Sequence, residues 1–394
     1  MRIVLSCITG ILLLLACNNE NPNNVITCNT NPSIVLTKTK TVRIPVDTIQ
    51  YKHFASNVYS NDTLLYYFGL DRGRNAIDIF DINNEVYLAS LDFSKEGSPN
   101  PLSVTDFYVH NLDSIFVFSS DSYRLQLITI DGNVKYNQVV DNRAINELHY
   151  NKSIIGLEPI PAHIYYDASN ECIWIPATPY KREGEDNFFD QSFLIGYKFA
   201  ENKLLSFSGQ YPKQFSDKNQ TPFTQSAWFD ILTSPAKNQF KILFFGSPYV
   251  MNYDWVKDTV IGYNCIQSNY LPKEPLEFKG DLESRMERKR FRIKNGLYLS
   301  ALGQFGAYKY FPVRHPQPLK KVSGHLNDFY SSSWSVVVLD NDWNTVGEMK
   351  FPADTYDIYN LHNTTHGFLV SKENPNNDKN EEDYLEFEIY NFIL

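Results

Sequence analysis

The chain has 394 residues, enough for two or three domains or for one large all-β unit. Hydrophobic residues make up 43% and charged residues 21%, which excludes a disordered protein and provides for a large core. The net charge of -9 excludes a general nucleic-acid binder that relies on a basic surface, so we predict no nucleic-acid partner. The 26 Tyr and 27 Phe residues favour strands over helices.

Residues 1–16 are predicted to be a signal peptide. Arg2 precedes an apolar run that ends at Ala16, and this run is shorter than the roughly 20 residues of a membrane-spanning helix. The sequence Leu14-Leu15-Ala16-Cys17 resembles the lipobox of bacterial lipoproteins. The resemblance implies cleavage before Cys17 and attachment of acyl chains such as palmitate to this residue. An ordinary signal peptide followed by a chance cysteine is the alternative.

Residues 17–33 form a predicted flexible tether, because this segment is rich in Asn and other polar residues. Two or more acyl chains hold a protein stably on a membrane, so one predicted partner is a membrane, reached through an N-terminal lipid anchor. Asn18 rather than Asp follows Cys17, which by the rule familiar from lipoproteins of other bacteria argues against retention in the inner membrane. We therefore predict a cell-envelope protein of the outer membrane, and the sequence leaves the leaflet open.

Beyond the tether the chain is a series of predicted strands, and four strand-turn-strand modules repeat. Each module joins a β-branched or aromatic run to an Asn, Asp or Gly turn, which is the hairpin signature. The modules occupy residues 76–88, 125–136, 193–205 and 335–346. A fifth, degenerate copy is predicted in residues 238–271, because the spacing leaves room for one between the third and the fourth. A sixth combines residues 367–370 with 384–390.

Repeats of this length, built from short strands, predict an all-β fold: a six-bladed β-propeller that spans residues 34–394 as one domain. The last repeat lacks an outer strand, and the strand-like residues 34–46 lack a partner. Pairing this N-terminal strand with the last blade would close the ring and cover an exposed edge. Seven blades, or two separate β domains, are the alternatives.

Residues 121–133 resemble the repeat of NHL-type propellers, in which an Asn or Asp precedes Arg-Ile-Gln, a strand, and then Asp and Gly. The residues that carry the resemblance are Asp121, Arg124, Gln126, Asp131 and Gly132. The first module keeps part of the pattern between Asp71 and Asp81. With its lipobox, length and Tyr, Phe and Asn content, the whole chain resembles the uncharacterised propeller lipoproteins of Bacteroidetes, a group without an established activity.

In NHL-type propellers the loops between the second and third strands of each blade gather on one face, around the channel mouth. The resemblance implies that this face receives the ligand-binding candidates Arg72, Tyr123, Lys181, Arg182, Arg314 and His315. Several Arg and Lys side chains on an acidic protein would attract an anionic ligand. For the last four candidates, a solvated loop is the alternative. Arg74 and Arg124 occupy equivalent repeat positions and are predicted to brace turns between blades.

The sequence favours a non-catalytic module, without a cofactor, that binds an envelope protein or an anionic ligand. The alternative is a lyase or hydrolase that holds a metal ion in the channel, as the resemblance to some NHL-type propellers implies. Asp106, His110 and His163 are the nearest metal-ligand candidates, but their repeat offsets do not match. The sequence offers no nucleophile with a base and an orienting partner.

Two further features lead to predictions. The charge-dense run 283–294 is predicted to be helical, either as a solvated insertion or as a contact for anionic lipid or a partner. Cys172 and Cys265 are predicted to be two separate buried thiols, with a disulfide between them as the alternative. The absence of a C-x-x-C spacing argues against zinc or redox chemistry.

Overall fold

The computed structural model describes most of the predicted propeller. The described residues are 30, 33–46, 53–94, 102–140, 148–149, 163–176, 178–179, 192–211, 229–233, 238–272, 278–280, 284–299 and 303–393. The predicted signal peptide, Cys17 and most of the tether lie outside these residues, as do the site candidates Lys181 and Arg182.

Six antiparallel sheets form the blades of a β-propeller. The first strand of the chain is β1 (Val35–Pro45), which belongs to the last blade. Blade 1 consists of β2 (Ala55–Ser60), β3 (Leu65–Asp71), β4 (Ala76–Asp81) and β5 (Val86–Asp92). Blade 2 consists of β6 (Asp106–Asn111), β7 (Ser114–Ser119), β8 (Arg124–Ile128) and β9 (Val134–Val139). A two-stranded ladder of β10 (Leu148–His149) and β13 (Thr178–Pro179) accompanies blade 3.

The remaining blades repeat this arrangement. Blade 3 consists of β11 (Tyr165–Asp167), β12 (Cys172–Pro176), β14 (Ser192–Lys198) and β15 (Lys203–Gln210). Blade 4 consists of β16 (Phe229–Thr233), β17 (Gln239–Phe244), β18 (Tyr249–Asp254) and β19 (Thr259–Cys265). Blade 5 consists of β20 (Leu297–Tyr298), β21 (Gly303–Phe305), β22 (Tyr308–Arg314), β23 (Trp334–Leu339) and β24 (Thr345–Phe351). Blade 6 consists of β25 (Asp357–Thr364), β26 (Gly367–Ser371), β27 (Tyr384–Ile393) and β1.

Among the described residues, the helix α1 (Arg285–Asn295) lies between blades 4 and 5 and overlaps the run 283–294 that the sequence predicts to be helical. The residues that the structure describes contain no helix long and apolar enough to cross a membrane.

The N-terminal strand closes the ring, as predicted. Strand β1 pairs antiparallel with β27, in a register that runs from Val35 opposite Ile393 to Pro45 opposite Tyr384. Its buried residues Val42 and Ile44 pack with side chains of blades 1 and 6, so one strand joins the two ends of the ring. The six-bladed prediction is confirmed, including the copy in residues 238–271, which supplies β17, β18 and β19 of blade 4.

Consecutive strands run in opposite directions, so the connections between them alternate between two faces of the ring. We call the upper face the one that carries the connections between second and third strands and those between blades. The lower face carries the turns between first and second strands and between third and fourth strands. Strand β1 is the outer strand of blade 6, so it begins at the lower face and ends at the upper face.

The core lies between adjacent blades, because each sheet is covered on both sides by its neighbours. In β4 all six residues are buried, which is the pattern of a strand covered on both faces. Between blades 1 and 2, Phe68 and Ile79 pack with Phe107 and Val117. Apolar side chains of this size each stabilise the fold by about 1.5 to 3 kcal/mol when buried.

The cysteine prediction is wrong for one residue. Cys172 is a buried free thiol, as expected. Cys265 is disulfide-bonded, and Cys172, which is free, is not its partner. The predicted free thiol at Cys265 and the alternative bond between Cys172 and Cys265 are both excluded. The alternating pattern of a strand predicts that a cysteine is buried, but it does not show which distant cysteine forms a disulfide with it.

Candidate functional site

The upper face carries the predicted site residues that the structure describes, but spreads them over blades 1, 2 and 5. Arg72 is exposed, and its Cζ atom lies 3.2 Å from the centroid of the Phe54 ring. Tyr123 is half-buried, has a positive φ of 50°, and packs against the core between blades 2 and 3. These two residues occupy the expected loops but do not form one pocket with blade 5.

Arg74 and Arg124 contact residues of their own blades, instead of bracing turns between blades as predicted. The Arg74 Nε atom donates to Asp71 Oδ2 at 2.6 Å, and its Nη2 atom donates to the buried carboxylate of Asp78. The Nη1 atom of Arg124 donates to Asn137 Oδ1 at 3.3 Å, between the third and fourth strands of blade 2. These side chains contribute to the local structure of their own blades rather than to a ligand site.

His315 was expected on the exposed rim, yet it is buried. Its two ring nitrogens lie 3.2 Å from Ser333 Oγ and 3.0 Å from Ser335 Oγ, and its ring stacks on Tyr270. Burial lowers the pKa of His315 to about 4, and the charge of Lys350 lowers it further. The imidazole is therefore neutral at physiological pH and adds no positive charge to an anion site.

Arg314 is also buried, and here the structure assembles a cluster of cations. The centroid of the Phe329 ring lies 4.3 Å from Arg314 Cζ, 5.9 Å from Arg292 Cζ and 5.8 Å from Lys289 Nζ. The Nη1 atom of Arg314 donates to the hydroxyl oxygen of Tyr359, on the innermost strand of blade 6, at 3.0 Å. We call Lys289, Arg292, Arg314 and Phe329 the Phe329 cluster.

Local sequence explains why α1 forms and where it ends. Ser284 is its N-cap and accepts a hydrogen bond from the N–H of Glu287, the first half of a capping box. Glu287 in the first turn and Lys294 in the last turn both complement the helix dipole. The helix ends at Gly296, whose φ is 69°.

Gly296 also brings Arg292 next to Arg314. A Cβ atom at position 296 would lie 2.5 Å from the carbonyl oxygen of Arg314, so a larger residue could not make this approach. Directly after the glycine, Leu297 pairs with Arg314 in the ladder between β20 and β22. The end of α1 is thereby fixed against the end of β22, with both guanidinium groups near one ring.

The loop that carries Phe329 is held by polar contacts. Asn327 Nδ2 donates to the Pro318 carbonyl at 2.7 Å, and Gln317 Nε2 donates to the Asp328 carbonyl at 2.7 Å. Asn376, from the neighbouring loop of blade 6, donates to Asp328 Oδ1 at 2.9 Å. The ring is therefore held in place by residues of blades 5 and 6.

The surroundings of the Phe329 cluster add positive charge to the upper face. Arg290 and Lys294 on α1 are exposed, as is Lys320 in the loop of blade 5, whereas Lys321 of that loop is paired with Asp328 at 3.5 Å. A concentration of cations on one face of an acidic protein creates a local positive potential that attracts anions. Guanidinium groups bind carboxylates and phosphates through paired hydrogen bonds, so the chemistry of the cluster suits an oxyanion.

The innermost strands also carry polar side chains. Ser56 Oγ lies 2.9 Å from His362 Nε2, which is 2.7 Å from Asn360 Oδ1. Burial lowers the pKa of His362 to about 3, with a smaller effect of His163, so His362 is a weak base. A catalytic base needs a pKa near the working pH, so this serine and histidine do not make an active nucleophile.

The metal-ligand candidates are only partly brought together. Asp106 accepts the N–H of Ile164 at 2.7 Å and lies 3.2 Å from His163 Nδ1. His110 instead packs its ring against Tyr166. Within the described part of the chain, no three His, Cys, Asp or Glu residues are grouped to hold a metal ion.

Sequence reasoning identified Arg314 but missed the three other members of the Phe329 cluster. Lys289 and Arg292 were noticed only as part of a charge-dense run. Their spacing of three residues places them on one helix face, which was the available signal. Phe329 had no signal, because a single aromatic residue in a long loop does not indicate which cations will surround it.

Comparison with known proteins supports the fold. The sequence model of a family described as a domain of unknown function, DUF4221, matches residues 33–158. A crystal structure of a DUF4221 member from Bacteroides vulgatus is similar, with a TM-score of 0.75 and 16% sequence identity. The similarity covers 92% of this chain and 99% of that one. No curated protein matches the sequence.

A second similar crystal structure is that of a Bacteroides fragilis protein whose name calls it a candidate exported protein. Its TM-score is 0.54 at 7% identity, over 93% of this chain and 99% of that one. At such identities the two similarities establish a shared propeller architecture. They leave the ligand to be inferred from the side chains of this chain.

Proposed function

We propose that the protein is an envelope binding module whose upper face takes an anionic ligand, or an acidic surface of a partner protein, at the Phe329 cluster. The observation that carries the proposal is the convergence of Lys289, Arg292 and Arg314 on one buried ring. An oxyanion bound there interacts with all three charges at once. Since the cluster combines residues of α1, β22 and the loop that carries Phe329, the site exists only in the folded propeller.

The location in the envelope is part of the proposal. Cys17 is proposed to carry the lipid anchor, for the reasons given from its sequence context. The disulfide at Cys265 supports an exported protein, because disulfides persist in oxidising compartments and are rare in the cytosol. Since β1 begins at the lower face, a tether that leads to it favours an upper face directed away from the membrane.

The proposal is tested by measuring the affinity for succinate and for the polyanion dextran sulfate. Lys289→Gln removes a half-buried charge at little risk to folding, and Arg314→Gln removes the guanidinium closest to the ring. Each substitution should weaken binding at least about tenfold, the usual effect of losing one charged hydrogen bond. Lys257→Gln, at an exposed lysine of the lower face, is the matched control and should bind normally.

Salt provides a second readout. Because the attraction is electrostatic, binding of dextran sulfate should weaken as ionic strength rises. Unchanged affinity in both Lys289→Gln and Arg314→Gln would place the binding surface elsewhere.

A further inference from the structure

The lower face of the propeller holds a second group of cations around an aromatic ring, formed by two lysines beside Trp343. Lys241 Nζ lies 5.6 Å and Lys309 Nζ lies 5.1 Å from the centroid of the Trp343 ring. Lys241 is half-buried on β17 of blade 4, and Lys309 is buried on β22 of blade 5. Trp343 is in the turn between β23 and β24, so the three residues meet where blades 4 and 5 adjoin.

Neither ammonium group pairs with a carboxylate among the described residues. Lys241 donates to the side-chain oxygen of Asn252, and Lys309 donates to the carbonyl oxygen of Asp340 at 3.4 Å. An ammonium group has three N–H donors, so both retain donors for a further acceptor. Burial lowers the pKa of both lysines, and the charge of Lys309 further lowers that of Lys241, while the carboxylates of Asp340 and Asp342 raise that of Lys309. Lys309 is therefore partly compensated by these two carboxylates, whereas no described carboxylate offsets the charge of Lys241, and a partly buried charge is unfavourable unless an anion compensates it.

The backbone of Trp343 is a second, independent observation. Its φ is 66°, in the left-handed region, where a bulky residue is an outlier. The equivalent turns of blades 1 to 4 place a positive φ at the same position, and in three of the four the residue is Gly, Asn or Asp, the types that tolerate it. These residues are Glu85, Gly132, Asn202 and Asp258. The turn therefore needs a positive φ but does not need tryptophan, and strain of this kind is concentrated at functional sites.

We propose that Lys241, Lys309 and Trp343 form a second binding site, for an oxyanion of the carboxylate or phosphate class. The oxyanion accepts hydrogen bonds from both ammonium groups, beside the indole ring. The site is on the lower face, where β1 begins, so it is separate from the Phe329 cluster and does not depend on the proposed function. A free anion and the phosphate of a lipid headgroup share this chemistry.

Calorimetric titration of the purified full chain with inorganic phosphate and with acetate, at constant ionic strength, tests the site. Co-sedimentation with phosphatidylcholine vesicles, with and without phosphatidic acid, distinguishes a lipid source. We expect binding of at least one of these probes to weaken tenfold or more in Lys241→Met and in Lys309→Met. Lys257→Met, on the same face, should bind like the parent.

Trp343→Asn separates the site from the turn, because Asn occupies the equivalent position at residue 202. This variant relaxes the turn but loses the buried indole that packs with Phe311, so it should be less stable than the parent. Its anion affinity is therefore measured well below its unfolding midpoint, where it should bind more weakly. The double variant Lys241→Met/Lys309→Met keeps the length of both side chains, and its thermal unfolding is measured to show that it folds. Absence of binding by every probe, or binding that persists in the double variant, would overturn the proposal.

Discussion

Glu373, in the upper-face loop of blade 6, should make the propeller less stable above neutral pH. It is buried, and its Oε1 atom accepts the N–H of Glu386 at 3.1 Å. Its Oε2 atom has no hydrogen-bond partner within the described residues. The pKa of Glu373 is raised from 4.5 to about 7, mainly by burial and to a smaller extent by the charges of Glu386 and Asp357, while the hydrogen bond from the N–H of Glu386 and the charge of Lys372 oppose the rise.

The sign of the pH effect follows from this difference between the folded and unfolded chain. Between pH 4.5 and about 7 the folded protein keeps a proton that the unfolded chain has lost, so stability falls as pH rises through this range. At about 1.4 kcal/mol per pKa unit, the destabilisation reaches on the order of 3 kcal/mol above pH 7. Glu373→Gln has no charge to bury, so this destabilisation above pH 7 should be absent from the variant.

Urea unfolding at about pH 5 and at about pH 8 measures the effect, since the midpoint reports stability when the slope is unchanged. Glu373→Gln should match the parent at the lower pH and exceed it by about 2 to 3 kcal/mol at the higher pH. Glu382→Gln, at an exposed residue of the same loop, is the control. Equal stability of parent and Glu373→Gln at the higher pH would refute the assignment of an uncompensated carboxylate to this loop.

Three other predictions concern the fold and the anchor. Deletion of residues 34–46 should give insoluble or protease-sensitive protein, because it exposes the edge of β27; a truncated protein that melts like the parent would contradict ring closure. Gln126→Met should stabilise the fold by about 1 kcal/mol in thermal unfolding, because neither polar atom of this buried amide has a hydrogen-bond partner among the described residues. A destabilised variant would show that the amide does form hydrogen bonds. Cys17→Ser should release the protein from the membrane fraction, and a variant that still sediments with membranes would exclude lipid anchoring at this residue.

The features that could be predicted from the sequence are those set by short-range chemistry. The hairpin turns near residues 84, 133, 202 and 342 were recognisable from Asn, Asp and Gly, and their spacing indicated the irregular blade 4. Ring closure followed from a count of strands and edges. The residues that determine each turn are adjacent in the sequence, and the number of strands alone determines that the ring needs one more strand to close.

The candidate sites could not be predicted in the same way, because they depend on contacts between distant segments. Arg314 is buried because Gly296 allows α1 to end against its carbonyl oxygen. His315 lost its expected charge through burial between two serines and Tyr270. Lys241 and Lys309 are on different blades, so only the assembled ring brings them to one indole. Residue type alone does not distinguish a rim cation from a buried one.

The most direct test of the central claim is a crystal structure of the full chain soaked in selenate, an oxyanion whose anomalous scattering identifies its position. The account predicts a selenate ion beside Phe329, within hydrogen-bond distance of Arg314 and of at least one of Lys289 and Arg292. It also predicts that this ion is absent from crystals of Lys289→Gln soaked at the same concentration. Parent crystals without selenate at the Phe329 cluster, at concentrations that saturate binding in solution, would contradict the claim.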